Sequence, residues 1–248
     1  MNLFILSKLF KDAAKMHCDK HCVKMILEAT QMLYTAWWYD RNDNDTIDWD
    51  MTIITDPPYK SAYVNHPVTI WVRSFPNHYN WTVCLGLELC KEYTMRYGKN
   101  HKCCNHLKRL AKMGFPPKVL DSIVPSIVPS IEKRATINCP MGCEYFDCAI
   151  ADEYFRTCAS YNDDGKLDCV ETYRNYYNAK SINMCWKNSE SPTWYDSTKQ
   201  IIIIVEQCQA IVVSGKNKGN RCTAKCKSVS SYCGRHRKYS VIVQIVKL

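Results

Sequence analysis

Residues 17–28 read His17-Cys18-Asp19-Lys20-His21-Cys22-Val23-Lys24-Met25-Ile26-Leu27-Glu28. Two histidines, an aspartate, a lysine pair and a glutamate fall in this one stretch, which then runs into an apolar segment. Continued as a helix to Thr35, it places His17, His21, Lys24, Glu28, Gln31 and Thr35 on one seam, at spacings of 4, 3, 4, 3 and 4. Val23, Met25, Ile26, Leu27, Ala29, Met32, Leu33 and Tyr34 take much of the rest of the cylinder. An imidazole, an amine and a carboxylate within one or two turns of each other suit proton transfer. The same pattern also fits an amphipathic helix whose polar stripe faces solvent. His17 and His21, with Glu28 or Asp19, have a spacing that permits a metal, as a metal-dependent nuclease would need, but no His-Glu-x-x-His signature accompanies them.

The elements that must hold this seam follow from patterning. The chain has 248 residues, 46% of them hydrophobic, enough to bury a full core. Residues 2–6 (Asn-Leu-Phe-Ile-Leu) are a short strand or a buried extended arm. The first helix is expected from about Asp12 to Tyr39, ended by the polar run 40–45. A second helical block opens at His66-Pro67, and a long helix runs from Tyr79 to Tyr97 and stops at Gly98. A short basic helix follows within 99–113, where His101 and His106 are expected in solvent or facing phosphate. Residues 118–168 read as irregular, and a last helix covers about 168–188. The expected fold is mainly α: a compact helical domain over 1–200 with long irregular insertions.

Composition shifts at residue 200. Residues 201–205 and 241–246 read as β-strands. Between them lie Cys208, Cys222, Cys226, Cys233 and His236 among many Lys and Arg residues. Three thiolates and one imidazole suit tetrahedral zinc, and so short a module needs such a cross-link. Cys208, Cys222, Cys233 and His236 are the expected ligands of a structural zinc in a β-containing module over 201–248, with Cys226 able to replace Cys222. Cys139, Cys143 and Cys148 form a looser set that we do not expect to bind a second metal.

The chain carries 16 cysteines and a net charge of +9, from 33 Lys and Arg against 24 Asp and Glu. No secretory signal precedes them, so reduced thiols in an intracellular compartment are expected. No apolar run approaches the ~20 residues of a membrane span, and no membrane partner is expected. The positive charge favours nucleic acid.

Three segments together resemble the pyrimidine-dimer DNA glycosylases of the phage endonuclease V type. Asp19-x-His21 followed by Glu28 is similar to the family's Asp-x-His and glutamate on its first helix. His66-Pro67-Val68-Thr69-Ile70-Trp71 resembles its His-Val-Thr-aromatic segment. Ser191-Pro192-Thr193-Trp194-Tyr195 resembles its Pro-Thr-Trp-Tyr, which lies against DNA. The order is the same, over about residues 1–196. The resemblance implies a DNA-repair enzyme, of viral type, acting on damaged double-stranded DNA. In that family a free N-terminal α-amine attacks the deoxyribose C1′ beside the damaged base, a Schiff base forms, and β-elimination nicks the strand. Carried over, Glu28 is the acid/base residue, with His21 and Asp19 at the site and Met1 or Lys24 as the amine. Asn2 is larger than the small second residue of the family, which favours retention of Met1. His17, Arg73, Arg174, Lys180, Trp194 and Tyr195 are the expected nucleic-acid contacts. The alternative is a nucleic-acid-binding or virion-associated protein on the same scaffold without the chemistry. Oligomeric state is not legible.

Overall fold

The computed structural model describes residues 2–39, 46–121, 146–150, 152–180, 184–199, 212, 216–220 and 222–223. Among them are eight helices: α1 (Phe10–Met16), α2 (Asp19–Tyr39), α3 (Pro67–Ser74), α4 (Pro76–Tyr97), α5 (Cys104–Met113), α6 (Pro117–Asp121), α7 (Asp152–Cys158) and α8 (Cys169–Ala179). The β content among the described residues is one antiparallel bridge, Tyr161 to Leu167. The protein is mainly helical, as its patterning predicts. The expected strands at 201–205 and 241–246, like Cys208, Cys233 and His236, lie outside the described residues.

Helix α4 is the hub, packed against α1, α2, α3 and α5, with α2 also touching α3 and α5. The α4–α5 contact is close: a methyl group on Gly86 would come within 2.9 Å of Leu107. Helix α4 ends at Gly98, whose φ of 67° is the left-handed conformation a helix C-terminus commonly adopts. Trp81 and Tyr79 from α4, Met25, Ile26, Met32 and Leu33 from α2, and Leu3, Ile5 and Leu6 from the N-terminal segment fill the core. Residues 2–6 are therefore a buried extended arm and not a strand.

Three expectations about the helices need correction. The first helix does not run unbroken from Asp12. His17 has ψ 129°, so α1 and α2 are separate. The break is held from outside: the Arg96 guanidinium donates to the His17 carbonyl at 2.7 Å and the Lys15 carbonyl at 3.0 Å, and the Asp19 N–H donates to the Cys185 carbonyl. Satisfying these groups tertiarily removes the penalty of interrupting the helix. The last helix is also shorter than expected, from Cys169 to Ala179, with Asp168 as N-cap accepting from the Glu171 N–H at 3.0 Å. A short helix, α7, stands where irregular chain was expected.

The loop between α2 and α3 is pinned by Arg109, which is fully buried. Its guanidinium donates to the Asp56 carbonyl at 2.9 Å and, through Nε, to the Tyr34 hydroxyl at 3.0 Å. His106 joins this cluster, bonded to Tyr34 at 2.9 Å. His106 is thus a buried structural histidine, where a position in solvent or facing phosphate was expected. Farther along the loop, Trp38 donates to the Tyr59 carbonyl and Thr35 to the Ala62 carbonyl. The loop and the N-terminal arm therefore lie over α2.

Candidate active site

The polar seam of α2 is largely covered. Glu28 is 7% exposed and Thr35 is fully buried, while Lys24 reaches solvent. The arm is what covers it. The backbone N–H of Asn2 donates directly to Glu28 Oε2. Lys24 Nζ sits 3.3 Å from the other oxygen, Oε1, one helical turn away. The two oxygens of one nearly buried carboxylate thus face two nitrogens.

Asn2 is held there by its own side chain. Its amide donates to the Ala149 carbonyl at 2.6 Å, and its Oδ1 accepts from the Leu3 N–H and from the Tyr173 hydroxyl, both at 2.8 Å. Tyr173, fully buried in α8, closes the ring by accepting from the Ala149 N–H at 3.0 Å. Burial pushes the Tyr173 phenol well above its ordinary range, so it stays a neutral hydrogen-bond donor. Residue 2 is therefore fixed between α2, α8 and the 146–150 segment. None of these three elements adjoins another in sequence.

His66, which caps α3, belongs to the same neighbourhood. Burial lowers its pKa, and the negative charge of Glu28 works in the opposite direction. Its Nδ1 is enclosed without a protein partner. The turn that delivers it passes through Tyr63, whose backbone lies in the left-handed region (φ 51°) and whose carbonyl accepts from the His66 N–H. The Tyr63 ring is 68% exposed.

His21 stands two turns before Glu28 on α2. Its Nδ1 is 2.6 Å from the Tyr177 hydroxyl, and its ring lies 4.4 Å from that of Phe4. Desolvation, reinforced by the nearby His17, Lys24, Lys180 and Lys20, lowers its pKa to about 3. The imidazole is neutral at physiological pH. Burial keeps the Tyr177 phenol protonated. The neutral phenol and the neutral imidazole share this one hydrogen bond.

The other expected site residues are distributed as follows. Asp19 lies nine residues before Glu28, about 13 Å along the helix axis. It pairs with Arg96 at 3.2 Å and accepts from the Lys187 N–H at 3.0 Å, so it anchors the chain beyond α8 to the start of α2. His17 is fully buried, donates from Nδ1 to the Ala13 carbonyl at 2.6 Å, and has a pKa pushed down to about 4 by desolvation. Its side chain reaches no surface. Arg73 donates to the Val64 carbonyl and lies 4.1 Å over the Tyr39 ring. On α8, Arg174 donates to the Leu6 carbonyl and lies 5.5 Å from the Trp194 ring. Lys180, after the helix, lies 4.9 Å over Tyr176. Trp194 packs on Tyr177, with ring centroids 6.0 Å apart, and its carbonyl accepts from the Asn178 amide. Tyr195 packs on Trp186.

The structure thus gathers Glu28, Lys24, His21, Lys180, Arg174 and Trp194 around the arm and α8. His17 lies beside Phe4 and Tyr177 but is fully buried, and Asp19 and Arg73 stand at other points of the scaffold. Met1, Cys208, Cys233 and His236 lie outside the described residues, and Cys222 is half-buried. Among the described residues no group of three or more His, Cys, Asp or Glu side chains is arranged to hold a metal ion. No described helix is long and apolar enough to cross a membrane. Sequence reading missed Asn2 and Tyr173. Asn2 entered it only as an obstacle to Met1 removal, and Tyr173 was one of several tyrosines on its helix.

Residues 1–105 match the family described as pyrimidine dimer DNA glycosylase. That segment contains Asn2, the Asp19-x-His21 and Glu28 positions and the His66 turn. No curated protein and no solved structure matches the chain.

Proposed function

From a chain whose residues 1–105 match the pyrimidine dimer DNA glycosylases, we propose a DNA-repair N-glycosylase with abasic-site lyase activity, using a primary amine at residue 2. The observation that carries this is the contact between the Asn2 main-chain nitrogen and the Glu28 carboxylate. Within an intact chain that nitrogen is an amide and has no nucleophilicity. Removal of Met1, against the retention that the size of Asn2 favours, would turn it into an α-amine with a pKa of about 8, partly unprotonated at neutral pH. The nitrogen then already sits where the family resemblance wants its nucleophile. This moves the amine from the expected Met1 or Lys24 to Asn2.

The steps balance without an external oxidant or metal. The Asn2 lone pair attacks C1′ while the damaged base departs with its bonding pair and takes up a proton. The attached nitrogen gives one proton to Glu28, the nearest base, which passes it to O4′ as the C1′–O4′ bond breaks and the sugar ring opens. A protonated imine is left at C1′ and accepts the electron pair of the next step. Loss of a C2′ proton then expels the 3′ phosphate. Glu28 carries protons between nitrogen and sugar, and its burial holds the carboxylate in an environment of low dielectric.

The surroundings support a nucleic-acid substrate. Arg174 and Lys180 stand over aromatic rings, and the exposed Tyr63 and half-buried Trp194 offer stacking faces of the kind bases use. A target base must leave the duplex stack to reach C1′ chemistry at a nearly buried carboxylate. His21 meets the substrate as a neutral imidazole and not as a cation.

Borohydride trapping on a duplex with an abasic site tests the proposal. The expected product is an adduct on the peptide beginning at Asn2. An adduct on Lys24 would move the nucleophile from the arm to α2, one turn before Glu28. Salt-dependent binding with no adduct would instead favour a non-catalytic DNA-binding protein, in which the Asn2 amide and Lys24 simply satisfy Glu28. For residues 201–248 we propose a structural zinc on Cys208, Cys222, Cys233 and His236, on the chemistry of the donor set alone. Elemental analysis of the full chain and of Cys233→Ser tests it: bound zinc should be present in the first and lost in the second.

A further inference from the structure

Independently of the chemistry at Glu28, α1, α4 and α5 frame an open groove of about 1490 Å³. Three thiols line it, Cys84 and Cys90 of α4 and Cys104 of α5. Cys90 and Cys104 interact with each other where α4 packs on α5. Lys11, Lys102 and Lys108 line the same groove, as does Lys91, which is answered by Glu88 at 2.7 Å.

We propose that this groove is a thiol-modification site for small anionic disulfides, with Cys104 as the attacking thiol and Cys90 as the resolving one. Cys104 is the first residue of α5, where unpaired N–H groups and the helix dipole favour a thiolate. Interaction with the neighbouring Cys90 holds the Cys104 pKa below the ordinary thiol range; burial opposes this, while the His101 backbone and Lys108 add to it. Cys90 is pushed the other way and remains a thiol. The lysine rim complements a carboxylate-bearing molecule such as oxidised glutathione.

The Cys104 thiolate attacks one sulfur of the small disulfide, forming a mixed disulfide and displacing one thiolate. Cys90 then loses its proton to solvent and attacks the Cys104 sulfur, releasing the second small thiol. Two protein thiols are oxidised and one small disulfide is reduced, a two-electron exchange. The product ties α4 to α5 across the groove.

The test compares three cysteines in the full reduced chain. Cys185 is exposed and bonded to Asp19, which raises its pKa, so it serves as the accessible but unactivated thiol. Limited iodoacetamide labelling at neutral pH, read by peptide mass mapping, should modify Cys104 roughly ten times faster than Cys185 or Cys90. Oxidised glutathione should then give a linked Cys90–Cys104 peptide pair, and Cys90→Ser should stop at a glutathione adduct on Cys104. Labelling of Cys104 no faster than Cys185, or oxidation without the Cys90–Cys104 link, overturns the proposal. The labelling order needs no variant, so it holds even if Cys90→Ser fails to fold.

Discussion

Tyr173→Phe removes one oxygen from the ring of bonds that fixes residue 2. That hydroxyl donates to Asn2 Oδ1 at 2.8 Å and accepts from the Ala149 N–H at 3.0 Å, within a fully buried side chain. Asn2 Oδ1 keeps the Leu3 N–H as partner, whereas the Ala149 N–H loses the acceptor it has here. Leaving one buried donor unsatisfied costs about 1–3 kcal/mol. For a chain of this size that is a fall in Tm of roughly 2–4 °C per kcal/mol. The effect on chemistry is larger than the effect on stability. With one of the three side-chain bonds of Asn2 gone, the Asn2 nitrogen can drift from Glu28, and a misplacement of about 1 Å costs on the order of a hundredfold in rate. Thermal unfolding followed by circular dichroism gives the first quantity, and single-turnover borohydride trapping well below Tm gives the second. A lowered Tm with an unchanged trapping rate would refute the positioning argument and leave Tyr173 a purely structural residue.

Asp19→Asn should lower stability by about 2–4 kcal/mol, because Arg96 is fully buried and would keep only Glu92 as a charged partner. Denaturant unfolding measures it, and trapping at residue 2 should continue, since Asp19 is remote from Glu28. Stability should also fall as the medium is acidified. His17 has a folded pKa of about 4 against an unfolded value of about 6.5. The unfolded chain therefore binds the extra proton first. The contribution of neutral burial is complete above about pH 6.5 and is lost as pH falls towards 4, about 3 kcal/mol in all at ~1.4 kcal/mol per pKa unit. His17→Gln should flatten that part of the stability–pH curve, and an unchanged slope would show that His17 does not supply it. Gly86→Ala should cost about 1–3 kcal/mol, because its methyl would meet the fully buried Leu107 at 2.9 Å and force α4 from α5. Equal Tm values for this variant and the parent would contradict so tight a contact.

Much of the scaffold was legible from local chemistry. The 3.6-residue periodicity of the first helix and of 79–97, Pro67 opening α3 and Gly98 closing α4 act within a few residues, so sequence alone placed the bodies of those helices, though not the starts of α2 at Asp19 and α4 at Pro76. The break at His17 was not legible, because Arg96 and Cys185, distant in sequence, supply the partners that make it tolerable. Periodicity put His17 on the seam of α2; that break takes it off and buries it.

Glu28 was legible as a candidate because its spacing to Lys24 and His21 is a property of one helix. Whether the seam faced water was undecidable from that helix, since its polarity fits either outcome. The arm settled it, laying Asn2 over the carboxylate, and the arm's position depends on Tyr173 and Ala149, more than 140 residues farther along. Sequence determined which side chains share a helical face, because that geometry is short-range. Only the tertiary structure decided which nitrogen meets Glu28, because that contact closes between segments whose separation in the chain carries no local signal.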